Sequence, residues 1–185
     1  MKKAIKVFLI GVGVIVLATV VVGALLPSEW EAEASVEIKA SPAQIHSQVC
    51  SFKAWESWAT EAMKREDPTA EVTFSGPDSG VGATMAWQGD KMGRGRLTIT
   101  ESDPATGIKY EAAIESDEVN SHGSISFEKT KDGTRVTWHD EGDLPPIIGG
   151  LLAAQVNQAL SEHFEQSLTK LKEALEAPAE APAFE

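Results

Sequence analysis

The side chains of this 185-residue chain that carry reactive chemistry are four histidines, one tyrosine, one cysteine and a cluster of carboxylates near residue 140. A metal site or an acid–base pair needs such groups on one side of an element, and H-x-x-x-H or H-E-x-x-H spacing achieves this on a helix. His46, His122, His139 and His163 show neither spacing, so they are expected on the surface. Asp140, Glu141 and Asp143 carry enough charge for a cation site or a general base, but they lack the ligand spacing of a calcium loop. A solvated strand end is the expectation there. Cys50 stands alone, which excludes an internal disulfide and any site built from several cysteines. There is no G-x-S-x-G, phosphate-binding loop or dinucleotide fingerprint, and Gly93-x-Gly95 is too short to be more than a strand entry. No catalytic set, metal site or cofactor is expected.

Aromatic and basic residues remain. Tyr110 has the one phenolic hydroxyl, able to donate into a pocket, and a ring that fills a core equally well. Trp55, Trp58, Trp87 and Trp138 suit a core or the wall of an apolar pocket. Arg94 and Arg96 suit either the mouth of a site for an anionic head group or two outward strand positions.

The elements that position these residues follow from periodicity. Ala34–Ala40 reads as a strand, and Ser41-Pro42 as a helix start with serine as N-cap and proline in the first turn. From residue 70 the period becomes two. Strands are expected at Glu71–Ser75, Ala83–Trp87, Gly95–Glu101, Ile108–Glu115, Ser121–Lys129 and Arg135–Asp140, with turn-forming segments such as Ser116–Asn120 between them. Connections this short favour an antiparallel meander, since parallel crossovers need about a dozen residues or more. After Pro145-Pro146, the segment Ile147–Leu175 places Leu152, Val156, Leu160, Phe164, Leu168, Leu171 and Leu175 on one helical stripe.

Alternate strand residues share a face. Pooled over the sheet, the apolar face is Met85, Trp87, Leu97, Ile99, Tyr110, Ala112, Ile114, Ile125, Phe127, Val136 and Trp138, and nearly every ionisable residue falls on the other. One helix crossing a curved sheet touches only part of such a face. The rest is either filled by side chains or encloses a cavity suited to apolar ligands. The candidate ligand-binding residues are therefore Met85, Trp87, Leu97, Ile99, Tyr110, Ala112, Ile114, Phe127, Val136 and Trp138, with Val156 and Leu160 from the helix.

Residues 7–26 read VFLIGVGVIVLATVVVGALL, uncharged, with Thr19 as the lone polar side chain. At about 1.5 Å per residue such a helix spans about 30 Å, the thickness of a hydrocarbon core. Signal peptides have shorter apolar stretches, so a retained anchor is expected; Val22-Gly23-Ala24 is the cleavage site of the alternative. Lys2, Lys3 and Lys6 precede the span, which places the N-terminus in the cytoplasm and the rest on the periplasmic or extracellular side of a cell membrane. All 28 acidic residues follow the span, so this part is more acidic than the chain's net −12 and repels phosphate backbones. Nucleic acid is excluded as a partner. The expected organisation is a cytoplasmic N-terminus (1–6), a transmembrane helix (7–26), a linker (27–33), one domain (34–176) and a disordered Pro/Ala/Glu tail (177–185).

The segments VEIKASPAQIHSQVCSFKAWESW, SGPDSGVGATMAWQG, GRGRLTITESDP and DGTRVTWHDEGDLP resemble the opening, middle and last strands of the START-like, polyketide-cyclase-like (SRPBCC) superfamily. The resemblance covers roughly residues 34–175. It implies an α+β helix-grip: a curved antiparallel sheet wrapped around a long C-terminal helix, with a hydrophobic pocket between them. Proteins of this superfamily bind lipids, sterols, polyketides or plant hormones, and some are cyclases or dehydratases. Three functions are expected from residues and resemblance together. The first is an anchored, non-enzymatic module that binds a small hydrophobic molecule or lipid. The second is a cyclase- or dehydratase-like enzyme with Tyr110 as acid and a pocket carboxylate as base. The third is a protein-interaction module of the cell envelope.

Overall fold

The computed structural model describes residues 2–115 and 119–177. Helix α1 (Lys2–Leu25) is followed by β1 (Glu29–Ile38), α2 (Pro42–Val49), a 3-10 turn (Ala54–Ser57) and α3 (Glu61–Glu66). Six strands come next: β2 (Glu71–Ser75), β3 (Thr84–Gly89), β4 (Gly93–Asp103), β5 (Gly107–Ile114), β6 (Val119–Lys129) and β7 (Thr134–Asp143). Helix α4 (Ile148–Glu176) closes the order. The seven strands form one antiparallel sheet in the order β1-β7-β6-β5-β4-β3-β2. Strands β2 to β7 are the expected meander, and β1 adds to the free edge of β7. The expected α+β helix-grip is the fold observed.

Some boundaries differ from those read in the sequence. Strand β1 begins at Glu29, so most of the expected linker 27–33 is paired with β7, Glu29 against Asp143. The alternation that extends it, with Trp30, Ala32 and Ala34 buried between exposed glutamates, is hidden by a run of small and acidic residues. Residues 116–118 of the expected Ser116–Asn120 turn, and the tail from residue 178, lie outside the described residues.

Local chemistry explains the helix starts. At α2, Ser41 Oγ accepts from the Gln44 N–H while the Gln44 side chain accepts from the Ser41 N–H at 2.9 Å, a reciprocal capping box. Helix α4 starts near Ser28, where Gly149 packs, and ends where Glu176 accepts from the Lys39 N–H at 2.8 Å. It therefore runs alongside β1 and in the same direction. The lengths agree, since a strand rises about 3.3 Å per residue and a helix about 1.5 Å. Phe164, Leu168 and Leu171 of its stripe are buried. The far arm of the sheet, β2 to β5, curls away from α4, helped by a register shift between Ile99 and Glu101 where β4 carries an extra residue against β5.

Helix α1 is apolar enough to cross a membrane, with a mean hydropathy of 2.8 over Ile5–Leu25, of which 6% is buried. An apolar helix of this length near an N-terminus has the length and composition that membrane anchors and signal sequences share.

Candidate functional site

The inward face of the sheet meets α4 at Trp138. Its indole stacks on the Phe164 ring, centroids 4.3 Å apart and planes 13° from parallel. Trp55 approaches Trp138 edge-on at 5.2 Å and Trp58 at 5.7 Å. The loop after α2 thus inserts two tryptophans into the concavity, and this part of it is solid.

Beside these rings lies a buried polar network. Asp140 follows Trp138 on the inward face of β7 and is 6% exposed. Its Oδ1 accepts from Trp30 Nε1 at 3.1 Å, and its Oδ2 accepts from the Tyr110 hydroxyl at 2.9 Å and from Ser121 Oγ at 3.3 Å. Tyr110 in turn accepts from Trp138 Nε1 at 2.8 Å. The Tyr110 ring lies over Gly123 on β6, where an added Cβ would sit 2.0 Å from Cζ, so only glycine admits it. Burial pushes the Asp140 carboxyl above its ordinary value of 3.8, and the hydrogen bonds from Tyr110, Trp30 and Ser121 pull it back only in part. Burial, and then the charge of Asp140, raise the Tyr110 phenol well above its ordinary value.

The solvated strand end expected for Asp140 is therefore corrected. Glu141 and Asp143 are exposed as expected, but Asp140 is a core residue. The signal lay in its parity with Val136 and Trp138, which outweighs the usual exposure of aspartate because three donors converge on it. Trp30 and Ser121, two of those donors, were also missed. Trp30 lies outside the strand expected from residue 34, and Ser121 is a small polar residue at the first position of its expected strand.

The twelve candidate pocket residues divide into two groups. Met85, Ile99, Tyr110, Ala112, Val136 and Trp138 are buried in the packed core. Trp87, Leu97, Ile114, Phe127, Val156 and Leu160 are half-buried. In register, Trp87 stands opposite Gly95, which pairs in turn with Ile114, and Leu97 pairs with Met85 and Ala112. These side chains share the inward face of the far arm. Trp87 Nε1 is buried and has no hydrogen-bond partner among the described residues. Trp87 also contributes to the lining of a depression of about 360 Å³, together with Glu71, Arg94 and Arg96. Most of that lining belongs to the outward face.

The histidines are dispersed. His46 Nε2 lies 2.9 Å from Ser102 Oγ, and its pKa is lowered by burial against an opposing pull from Asp103. His139 lies 3.3 Å from Glu31, and His163 is half-buried beside Trp138. Of the four, His122 is exposed and the other three are half-buried, His139 on the outward face of β7 as expected. Among the described residues, no three of His, Cys, Asp and Glu gather as metal ligands would.

A sheet gripping one long C-terminal helix, with an aromatic and polar core between them, defines the helix-grip class. Within that class the chain belongs to the family described as polyketide cyclase / dehydrase and lipid transport, whose model matches residues 29–176. Solved structures share the fold at low identity. Protein CV1439 from Chromobacterium violaceum is 16% identical with a TM-score of 0.57, over 80% of this chain and 99% of that one. TTHA0849 from Thermus thermophilus is 23% identical with a TM-score of 0.54, over 78% and 96%. The Aha1 dimer from Colwellia psychrerythraea is 19% identical with a TM-score of 0.54, over 80% and 96%. None of the curated proteins matches the chain by sequence.

Proposed function

We propose that this is a membrane-anchored, non-enzymatic member of its family that holds a small hydrophobic molecule or lipid on the inward face of the far arm of the sheet. The ligand surface is the half-buried set of that arm, Trp87, Leu97 and Ile114, with Val156 and Leu160 of α4; Phe127, on β6 opposite Val136, lies at the other end of the strands. The buried set supports it from behind. Trp87 carries the reading: an inward, half-buried indole among apolar neighbours, with a buried N–H that the described residues leave unpaired. An apolar wall with one unused donor is the composition of a lipid or sterol site, and the family description names lipid transport.

The enzymatic alternative requires Tyr110 to give a proton to a substrate and Asp140 to take one. Both are already engaged. Tyr110 donates to Asp140 and accepts from Trp138, and both carboxylate oxygens of Asp140 hold donors. Such closure favours a structural network.

The test is thermal stabilisation of the full chain in phosphatidylcholine nanodiscs by a panel of sterols, fatty acids and aromatic polyketides. At least one class is expected to raise the melting temperature. Ile114→Trp, which adds bulk at the rim, is expected to weaken that ligand at least about tenfold, or about 1.4 kcal/mol. A panel without effect would overturn the proposal.

A further inference from the structure

The first two turns of α4 present an apolar surface that the domain does not cover. Ile147 is 38% exposed, Ile148 59%, Leu151 37% and Leu152 47%. No residue from Leu144 to Ser161 is charged. Elsewhere this chain surrounds its core with carboxylates, so a neutral stretch of this length is unusual for it.

The chain entering α4 is strained. Ile147 has φ 73° and ψ −59°, and the Ile148 N–H donates to the Pro146 carbonyl at 2.9 Å. This is a γ-turn of positive φ, rare for any residue and unfavourable for a β-branched one. Strain of that kind persists where the surroundings hold it in place, and it gathers at functional sites.

What holds it is α1. An added Cβ on Gly23 would stand 2.5 Å from the Ile147 carbonyl oxygen, and one on Gly150 would stand 2.0 Å from the Gly23 oxygen. The two backbones touch, as small residues permit between helices. Gly23 sits in the last turn of α1, at the end of a span whose length matches the hydrocarbon core. Atoms in contact with Gly23 share its depth to within a few ångströms.

We infer that the Pro145–Ile147 turn and the first two turns of α4 lie in the headgroup region of the bilayer. There Ile147, Ile148, Leu151 and Leu152 insert into lipid beside the exit of α1, as interfacial helices bury an apolar face about 5–10 Å deep. The occupant of this surface is the lipid itself. Neutral headgroups suit it, because Glu29 and Asp143 pair just beyond the α1 exit and repel anionic ones. The domain is thereby fixed in height and tilt against the membrane. The inference rests on the proposed reading of α1 as a retained anchor.

The test uses the full chain in phosphatidylcholine vesicles, with an environment-sensitive fluorophore on single introduced cysteines. Native Cys50 is buried and stays in place, and unsubstituted protein reports its background. The sites are Ile148→Cys and Leu152→Cys, with Val16→Cys at mid-span and Asp132→Cys in the β6–β7 turn, beside the end of β1 far from Glu29. Lipids spin-labelled near the headgroup and deep in the acyl chain serve as quenchers. Probes at 148 and 152 are expected to shift to the blue, brighten several-fold, and be quenched by shallow labels. The probe at 16 should respond to deep labels and the probe at 132 to neither. A quenched probe at 16 with water-exposed probes at 148 and 152 overturns this inference and leaves the anchor standing. Probes at 148 and 152 shielded from water yet unquenched would mean a protein covers the surface, and would also overturn it. Loss of quenching at 16 overturns the anchor and the inference together.

Discussion

Asp140 holds four aromatic or hydroxyl side chains in one arrangement, three directly and Trp138 through Tyr110. A buried carboxylate is unfavourable unless donors meet it, and here three do. Because burial raises its folded pKa above the ordinary 3.8, the native state favours the protonated form more than the unfolded chain does. The sign follows from proton linkage. The native state binds more protons between the two pKa values, so the contribution of Asp140 to stability is largest below about 3.8 and declines as pH rises through the folded value. Asp140→Asn removes this dependence. The stability difference between wild type and Asp140→Asn, followed by urea unfolding from pH 3 to pH 8, should therefore shrink as pH rises; a difference that grows would mean the hydrogen bonds outweigh burial. Tyr110→Phe strips the acceptor from Trp138 Nε1 and one donor from Asp140, and should cost about 1–3 kcal/mol in the same measurement at neutral pH.

Among the elements, α4 does two jobs along its length. Its C-terminal half is core: Leu168 is 1% exposed and Leu171 fully buried, against β1 and the aromatic cluster. Leu168→Ala should cost about 2–5 kcal/mol, as lost burial and cavity formation add. Its N-terminal half is bound to α1 and carries the uncovered isoleucines and leucines. Helix α2 depends more on its start, being only eight residues long. Ser41→Ala breaks the capping box and should cost about 1 kcal/mol without changing the denaturant dependence of unfolding. Tryptophan fluorescence reports both, since Trp55 and Trp138 sit where α2, the sheet and α4 converge.

The whole molecule is an acidic domain on an apolar helix, net −12 with every carboxylate after the span. Anchoring predicts that the full chain stays with membranes through alkaline carbonate extraction, whereas a chain starting at Pro27 does not. Orientation by the flanking lysines predicts that Asp132→Cys reacts with a membrane-impermeant maleimide added outside intact cells. Reaction only after lysis would place the domain in the cytoplasm. The two measurements separate attachment from direction.

Local periodicity carried much of this protein. The alternation in Ile108–Ile114, the Ser41-Pro42 start and the leucine stripe of α4 are properties of neighbouring residues, and strands and helices form from them whatever packs on top. That logic was enough for the meander, the long helix, the apolar N-terminal helix and the inward sides of ten strand residues that became the candidate pocket. Burial depends on residues distant in sequence, and those had to be placed in space. Trp55 and Trp58 reach into the concavity from a loop, and seven of the eleven residues of the pooled apolar face are buried. Asp140 is a core residue because Trp30, Tyr110 and Ser121 arrive from three other strands. The contact of Gly23 with Gly150 joins residues more than a hundred positions apart, and no periodicity records it. Spacing along the chain determines which way a side chain points, but tertiary packing decides what it meets.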